Sequence, residues 1–206
     1  MTVRAVPGNR DARPTRQHPQ PPAVLVGDAG GHARRLAADE MQVAIDRSSL
    51  GLVLVARGAR GVAAVLLGDD RDALRRDLQG RFPGAMLTEG DATLQTLAAG
   101  VVRMVESPAR GAHDVTLPLD LRGTEFQQTV WRALREIPAG STATYTEIAE
   151  RIGMPSAVRA VAQACAANAL ALLVPCHRVV RSDGTPSGYR WGLHRKRALL
   201  EREAAT

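Results

Sequence analysis

Cysteine is scarce in this chain: Cys165 and Cys176 are the only two among 206 residues. Two thiols make one disulfide at most, which excludes a disulfide framework and a four-cysteine zinc site. A reducing, cytoplasmic setting is the simpler expectation, and no His/Cys spacing points to a metal or cofactor. Lysine is scarcer still. Lys196 is the only one, and arginine supplies the rest of the positive charge. Long apolar runs are missing as well. The longest near Cys176, from Ala169 to Pro175, falls well short of the roughly 20 residues that span a bilayer. The first residues carry arginine and proline but no apolar core, so no secretion signal and no membrane partner are expected.

What is present is enough chain for a substantial core, in one large domain or two small ones. Its charge is uneven. Residues 1–35 carry net +4, residues 36–120 net −3 and residues 121–206 net +5, which together give the chain's +6. A positive C-terminal part suits a polyanionic partner such as nucleic acid, although free use of arginine throughout would also produce it.

Three segments follow from these shifts. Residues 1–35, rich in Pro, Gly, Arg and Gln, read as a disordered tail. Residues 36–120 read as an α+β unit. MQVAIDRS, LGLVLVAR and ARGVAAVLLG have the composition of strands, and DDRDALRRDLQGRF and DATLQTLAAGVVRMVE of helices opened by aspartate. VTLPLDL reads as a returning strand. No catalytic cluster stands out there. Residues 121–206 read as mostly helical. Thr124 and Gln127 have capping-box spacing, and Phe126, Val130, Trp131, Leu134 and Ile137 share one stripe. TYTEIAERIG and MPSAVRAVAQACAAN, separated at Gly153, have the helix-turn-helix pattern, which an ordinary helical hairpin shares. Small residues on the second helix would allow close approach to a duplex.

The stretch VPCHRV, residues 174–179, sets Cys176 beside His177. A thiol near its usual pKa of about 8.5 is mostly protonated at neutral pH and needs a base or a positive field to become nucleophilic. His177 is the nearest base. Neighbours in an extended segment point to opposite faces, so a bridging water or a backbone bend would be needed. The C-terminal helix offers Glu201 and Glu203 to orient the histidine. Asn168 ends the preceding helix and can organise the turn before the cysteine. Cys165 reads as small packing.

PCHRV, with Tyr145 and the RAV helix-turn-helix upstream and SGYRWG downstream, resembles the O6-alkylguanine-DNA alkyltransferases (methylated-DNA–protein-cysteine methyltransferases), and within them the C-terminal repair part of the bacterial Ada protein. The resemblance runs from about residue 41 to the end. It implies an α+β fold, with an N-terminal ribonuclease-H-like α/β subdomain followed by a mostly helical, winged-helix-like DNA-binding subdomain. It implies direct repair of O6-methylguanine, and of O4-methylthymine, by one irreversible transfer of the methyl group to the protein's own cysteine. The partner would be double-stranded DNA with alkylated bases, met by a monomer, without cofactor or metal.

The resemblance also carries roles. Cys176 would accept the methyl group. His177 would take its proton through a water, and Glu203 would orient His177. Tyr145 would donate to the base ring. Arg159, beside Ala160, would enter the gap left by the flipped nucleotide. Asn168, Val179, Tyr189, Arg190 and Trp191 would shape the base pocket, and the bulk of Trp191 predicts a preference for methyl over benzyl groups. The physics is consistent: an alkyl group inside the stack is reached only by flipping its nucleotide out, and minor-groove entry tolerates any sequence. The first 40 residues lack the cysteines of a zinc–thiolate module, so phosphotriester repair is not expected. A stand-alone protein and a fragment of a longer one both remain open. Competing readings are a non-catalytic alkyltransferase-like lesion binder, a cysteine–histidine hydrolase and a transcription factor. The hydrolase is disfavoured because its partners usually lie far apart in sequence.

Overall fold

A computed structural model describes residues 40–108 and 118–205. The tail expected over residues 1–35 lies outside the described residues. The architecture is α+β. Strands β1 (Glu40–Ser48), β2 (Gly51–Gly58) and β3 (Gly61–Gly68) form an antiparallel meander, with registers such as Ala44 opposite Val55 and Val55 opposite Val65. These segments are β-branched and apolar, as pleated surfaces favour. β3 (GVAAVLLG) is buried along nearly its whole length, so both of its faces are covered.

Helix α1 (Arg71–Arg81) is capped by Asp70, whose carboxylate accepts from the Ala73 amide, and α2 (Ala92–Glu106) is capped by Asp91, which accepts from Leu94. Such caps contribute about 1 kcal/mol each. Between them lies β4 (Met86–Glu89), which joins β1 in parallel and gives the sheet order β3-β2-β1-β4. The sequence pattern predicts no strand there. Of the strand expected in VTLPLDL, residues 115–117 lie outside the described residues, and Leu119 makes a single bridge to Val62 rather than a ladder.

The C-terminal part holds α3 (Glu125–Arg135), a two-residue strand β5 (Ala143–Thr144), α4 (Tyr145–Arg151), a 3₁₀ turn (Pro155–Ala157), α5 (Val158–Ala167), a second 3₁₀ turn (Cys176–Arg178), β6 (Val179–Val180) and α6 (Leu193–Ala204). The Thr124–Gln127 capping box is formed, and of the expected stripe Val130, Trp131, Leu134 and Ile137 are buried while Phe126 is half-buried. A second capping box, Thr144 with Glu147, opens α4. Gly153, at φ 74°, makes the turn between the two short helices, a conformation glycine adopts freely.

One contact positions the site. The segment after α5 lies along the edge of β3: Val65 donates to the Ala169 carbonyl at 2.8 Å, and Ala171 donates to the Val65 carbonyl at 3.0 Å. Asn168 is thereby fixed immediately before a stretch anchored to the sheet.

Candidate active site

Cys176 sits in the 3₁₀ turn after Pro175, almost wholly buried. The segment is bent rather than extended, so the alternation of neighbouring side chains does not apply. No direct bond joins the Cys176 thiol and His177 among the described residues. Instead Cys176 Sγ accepts from Asn168 Nδ2 at 3.2 Å. Asn168 is the residue that stops α5, and its buried amide ties the turn together. Nδ2 also donates to the Val174 carbonyl at 2.9 Å, and Oδ1 accepts from the Leu170 amide at 2.8 Å.

Behind the cysteine, His177 Nε2 meets Glu203 Oε1 at 2.8 Å, with both side chains buried. Arg178 clasps the same carboxylate, its Nε 3.0 Å from Oε2 and its Nη2 2.9 Å from Oε1, while its Nη1 donates to the Ile137 carbonyl at 2.6 Å. Burial pushes the Glu203 carboxyl up, but the hydrogen bonds from His177 and Arg178 and the positive charge of Arg178 outweigh it and hold the group at about 2. Glu203 is therefore ionised at neutral pH and can only accept. That fixes the tautomer: Nε2 carries the proton, and Nδ1 keeps its lone pair. His177 Nδ1 is buried and makes no hydrogen bond among the described residues. Burial lowers the His177 pKa against the pull of Glu203, so the ring is neutral at pH 7. Burial raises the Cys176 thiol, opposed by the Asn168 amide and by the ammonium of Lys196. The resting set is a neutral thiol, a neutral imidazole with one free lone pair, and an ionised carboxylate.

Tyr145 reaches this place through β5 and β6. Ala143 pairs with Val179 and Thr144 with Val180, so the start of α4 lies beside the residues that follow the cysteine. A cavity of about 460 Å³ opens between them, lined by Cys176, Tyr145, Tyr189, Arg190, Cys165 and Ala162, among others. Of the site residues read from sequence, Cys176, Tyr145, Tyr189 and Arg190 line this cavity. Asn168, His177 and Glu203 stand behind it, and Val179 is buried beside it. Trp191 is not part of the wall. It packs edge-on against Tyr189, ring centroids 5.1 Å apart, and Tyr189 in turn meets His177 edge-on at 6.4 Å. Arg159 is exposed on α5 with Ala160 half-buried beside it, while Ala162, Cys165 and Ala166 of the same helix turn to the cavity. His177 Nδ1, Tyr189 Oη and Trp191 Nε1 are all buried without a partner.

Several contributors escaped the sequence reading. Lys196 is wholly buried. Its Nζ donates to the carbonyls of Val179 and Ser187, at 2.5 and 2.7 Å, and so ties the strand after the cysteine to the start of the segment Ser187–Arg190 that walls the cavity. Its being the single lysine of an arginine-rich chain is the only sequence signal for it. Arg178 lies within PCHRV, but the motif alone gives it no part. Cys165, read as packing, also faces the cavity, and burial pushes its thiol pKa far up. The choice between Glu201 and Glu203 is settled by helix phase: Arg195, Leu199 and Glu203 recur every four residues on the buried side of α6, and Glu201 is exposed. Among the described residues no three His, Cys, Asp or Glu side chains gather as a metal would require, and no helix is long and apolar enough to cross a membrane.

Comparison with known proteins places the chain among DNA methyltransferases. The family profile described as 6-O-methylguanine DNA methyltransferase, DNA binding domain, matches residues 125–205. The chain is 52% identical to the bifunctional transcriptional activator/DNA repair enzyme Ada of Escherichia coli over 80% of its own length and 46% of that protein, so it spans about half of that relative. It is 43% identical to the inducible methylated-DNA–protein-cysteine methyltransferase of Bacillus subtilis, over 60% of this chain and 67% of that one. Among solved structures, Mycobacterium tuberculosis OGT in complex with DNA superimposes with a TM-score of 0.61 at 34% identity, over 81% of this chain and 93% of that one. With one relative at 43% identity covered over 67% of its length and a solved structure at 34% identity covered over 93% of its chain, the chain belongs to the O6-methylguanine-DNA methyltransferase family.

Proposed function

We propose that this protein repairs DNA directly, by moving the methyl group of O6-methylguanine, and of O4-methylthymine, onto Cys176. The observation that carries the reading is the cavity that presents the Cys176 thiol, backed by a polar chain in which an ionised Glu203 leaves His177 Nδ1 with a free lone pair. In this reading the helix-turn-helix of α4 and α5 docks on duplex DNA. Arg159, exposed and without an ion pair or hydrogen bond among the described residues, fills the gap behind a flipped nucleotide. The base enters between Tyr145 and Tyr189. His177 Nδ1 takes the thiol proton through a water, and Glu203 and Arg178 steady the imidazolium that forms. Sγ attacks the methyl carbon, a C–S bond forms and the C–O6 bond breaks, leaving its electron pair on the base. Tyr145 neutralises the leaving base with a proton, consistent with a hydroxyl that burial keeps protonated. The thioether is stable, so each molecule acts once.

The α+β architecture is assigned in two parts, residues 36–120 as a ribonuclease-H-like unit and residues 121–206 as a winged-helix-like DNA-binding unit. The protein acts as a monomer in the cytoplasm, a setting consistent with two free, buried cysteines. The test is intact mass and peptide mapping after incubation with a duplex holding one O6-methylguanine. A gain of one methyl group on the peptide with Cys176, stopping at one per chain, is expected. DNA bound without any gain would overturn the transfer reading and leave the lesion binder in its place.

A further inference from the structure

Arg190, in the wall of the Cys176 cavity, is tied to α1 by one ion pair. Arg190 follows Tyr189 in the segment between Gly188 and Gly192, both at positive φ, and lines the cavity. Its guanidinium is 44% exposed, and its one ion-pair partner among the described residues is Asp77 of α1, with Nη2 2.7 Å from Oδ1. Asp77 also holds Arg81, whose Nε lies 3.3 Å from Oδ2. The other carboxylates of the adjoining groove are engaged elsewhere: Asp69 with Arg195, and Asp70 as the cap of α1. Arg190 is therefore a half-exposed cation at the mouth of a cavity that takes a nucleotide, held by a single carboxylate on another element.

We propose that Asp77 is an intramolecular competitor for Arg190: it holds the guanidinium toward α1 until a phosphate of the docking duplex displaces it. The proposal rests on the DNA-binding reading above. Phosphate and carboxylate both accept guanidinium bidentately, so the exchange keeps the hydrogen bonding and trades one anion for another. Arg190 would then be a DNA contact, and the loop behind the cavity would shift with DNA binding.

The experiment is fluorescence anisotropy of the full chain with an unmodified labelled duplex over a range of salt, using wild type, Asp77→Asn, Arg190→Gln and the double variant. Asp77→Ser serves as a second carboxylate-free variant, with melting temperatures confirming the fold. Asp77→Asn is expected to bind about two- to fivefold tighter, the range of an exposed pair. Arg190→Gln should bind more weakly, with a log–log salt slope shallower by about 0.9. The double variant should match Arg190→Gln. Tightening by Asp77→Asn that persists without Arg190 would overturn the proposal, since it would reflect only the loss of a negative charge. No tightening from either carboxylate-free variant would overturn it too. Failure of wild type to bind any duplex would instead overturn the DNA-binding reading itself.

Discussion

Replacing Glu203 by Gln isolates the group on which the site's proton inventory depends. The change keeps shape and volume but removes the ionised acceptor of His177 Nε2 and the clasp of Arg178. Its stability cost follows from the carboxyl's displacement, from an ordinary 4.5 to about 2. At about 1.4 kcal/mol per pH unit this is on the order of 3 kcal/mol at neutral pH. That stabilisation is complete above the unfolded value and is lost as pH falls from 4.5 toward 2. His177, held neutral by burial, adds an acid-side loss that begins below its unfolded value of 6.5, because the unfolded chain takes up the proton first. The wild type should therefore lose stability progressively below pH 6.5, and Glu203→Gln should start lower and lack the part between pH 4.5 and 2. For transfer, a histidine no longer held in one tautomer is a poorer base, and single-turnover methyl transfer should slow roughly 10²–10⁴-fold. Urea melts across pH and quenched-flow transfer from a radiolabelled methyl duplex measure both effects. Glu201→Gln is the control, expected to stay within about 0.5 kcal/mol of wild type. A Glu203→Gln protein with wild-type stability and wild-type transfer rate would refute the reasoning.

Asn168→Ala removes a buried amide that bridges Val174, Leu170 and the thiol, and should lower stability by about 3 kcal/mol while slowing transfer, read by thermal melting and single-turnover rates. Lys196→Met keeps the stem but leaves the carbonyls of Val179 and Ser187 without their donor, costing about 2–4 kcal/mol; alkylation of Cys176 by iodoacetamide should also slow, because a nearby cation favours the thiolate. Cys176→Ser should bind duplex DNA and accept no methyl group, and its remaining thiol, Cys165, should stay unalkylated in the native protein at neutral pH, as mass spectrometry would show.

Local features were readable from the sequence, and features set by distant partners were not. The Asp70, Asp91 and Thr124 caps and the Gly153 turn depend on residues three or four apart, so their chemistry is written along the chain. β4 was missed because four residues, MLTE, carry too little pattern and owe their strand to pairing with β1, more than 40 residues earlier. Cys176, His177 and Asn168 were legible from a specific motif and a helix end. The place of Trp191 was not: the residue packs edge-on against Tyr189 outside the cavity lining, a placement decided by the packing of two aromatic rings that no spacing encodes. The buried ammonium of Lys196 was illegible for the same reason, since its acceptors are backbone carbonyls in a loop.

That lysine has a practical consequence. The chain's single side-chain amine is sealed in the interior, so amine-reactive dyes, cross-linkers and surfaces should find no lysine to couple while the protein is folded. Labelling of residue 196 then reports unfolding and little else, and lysine-directed tagging enzymes meet the same closed door. If Cys176 accepts the alkyl group of an immobilised substrate, the protein would attach to that surface through one atom, in one orientation and at one copy per site.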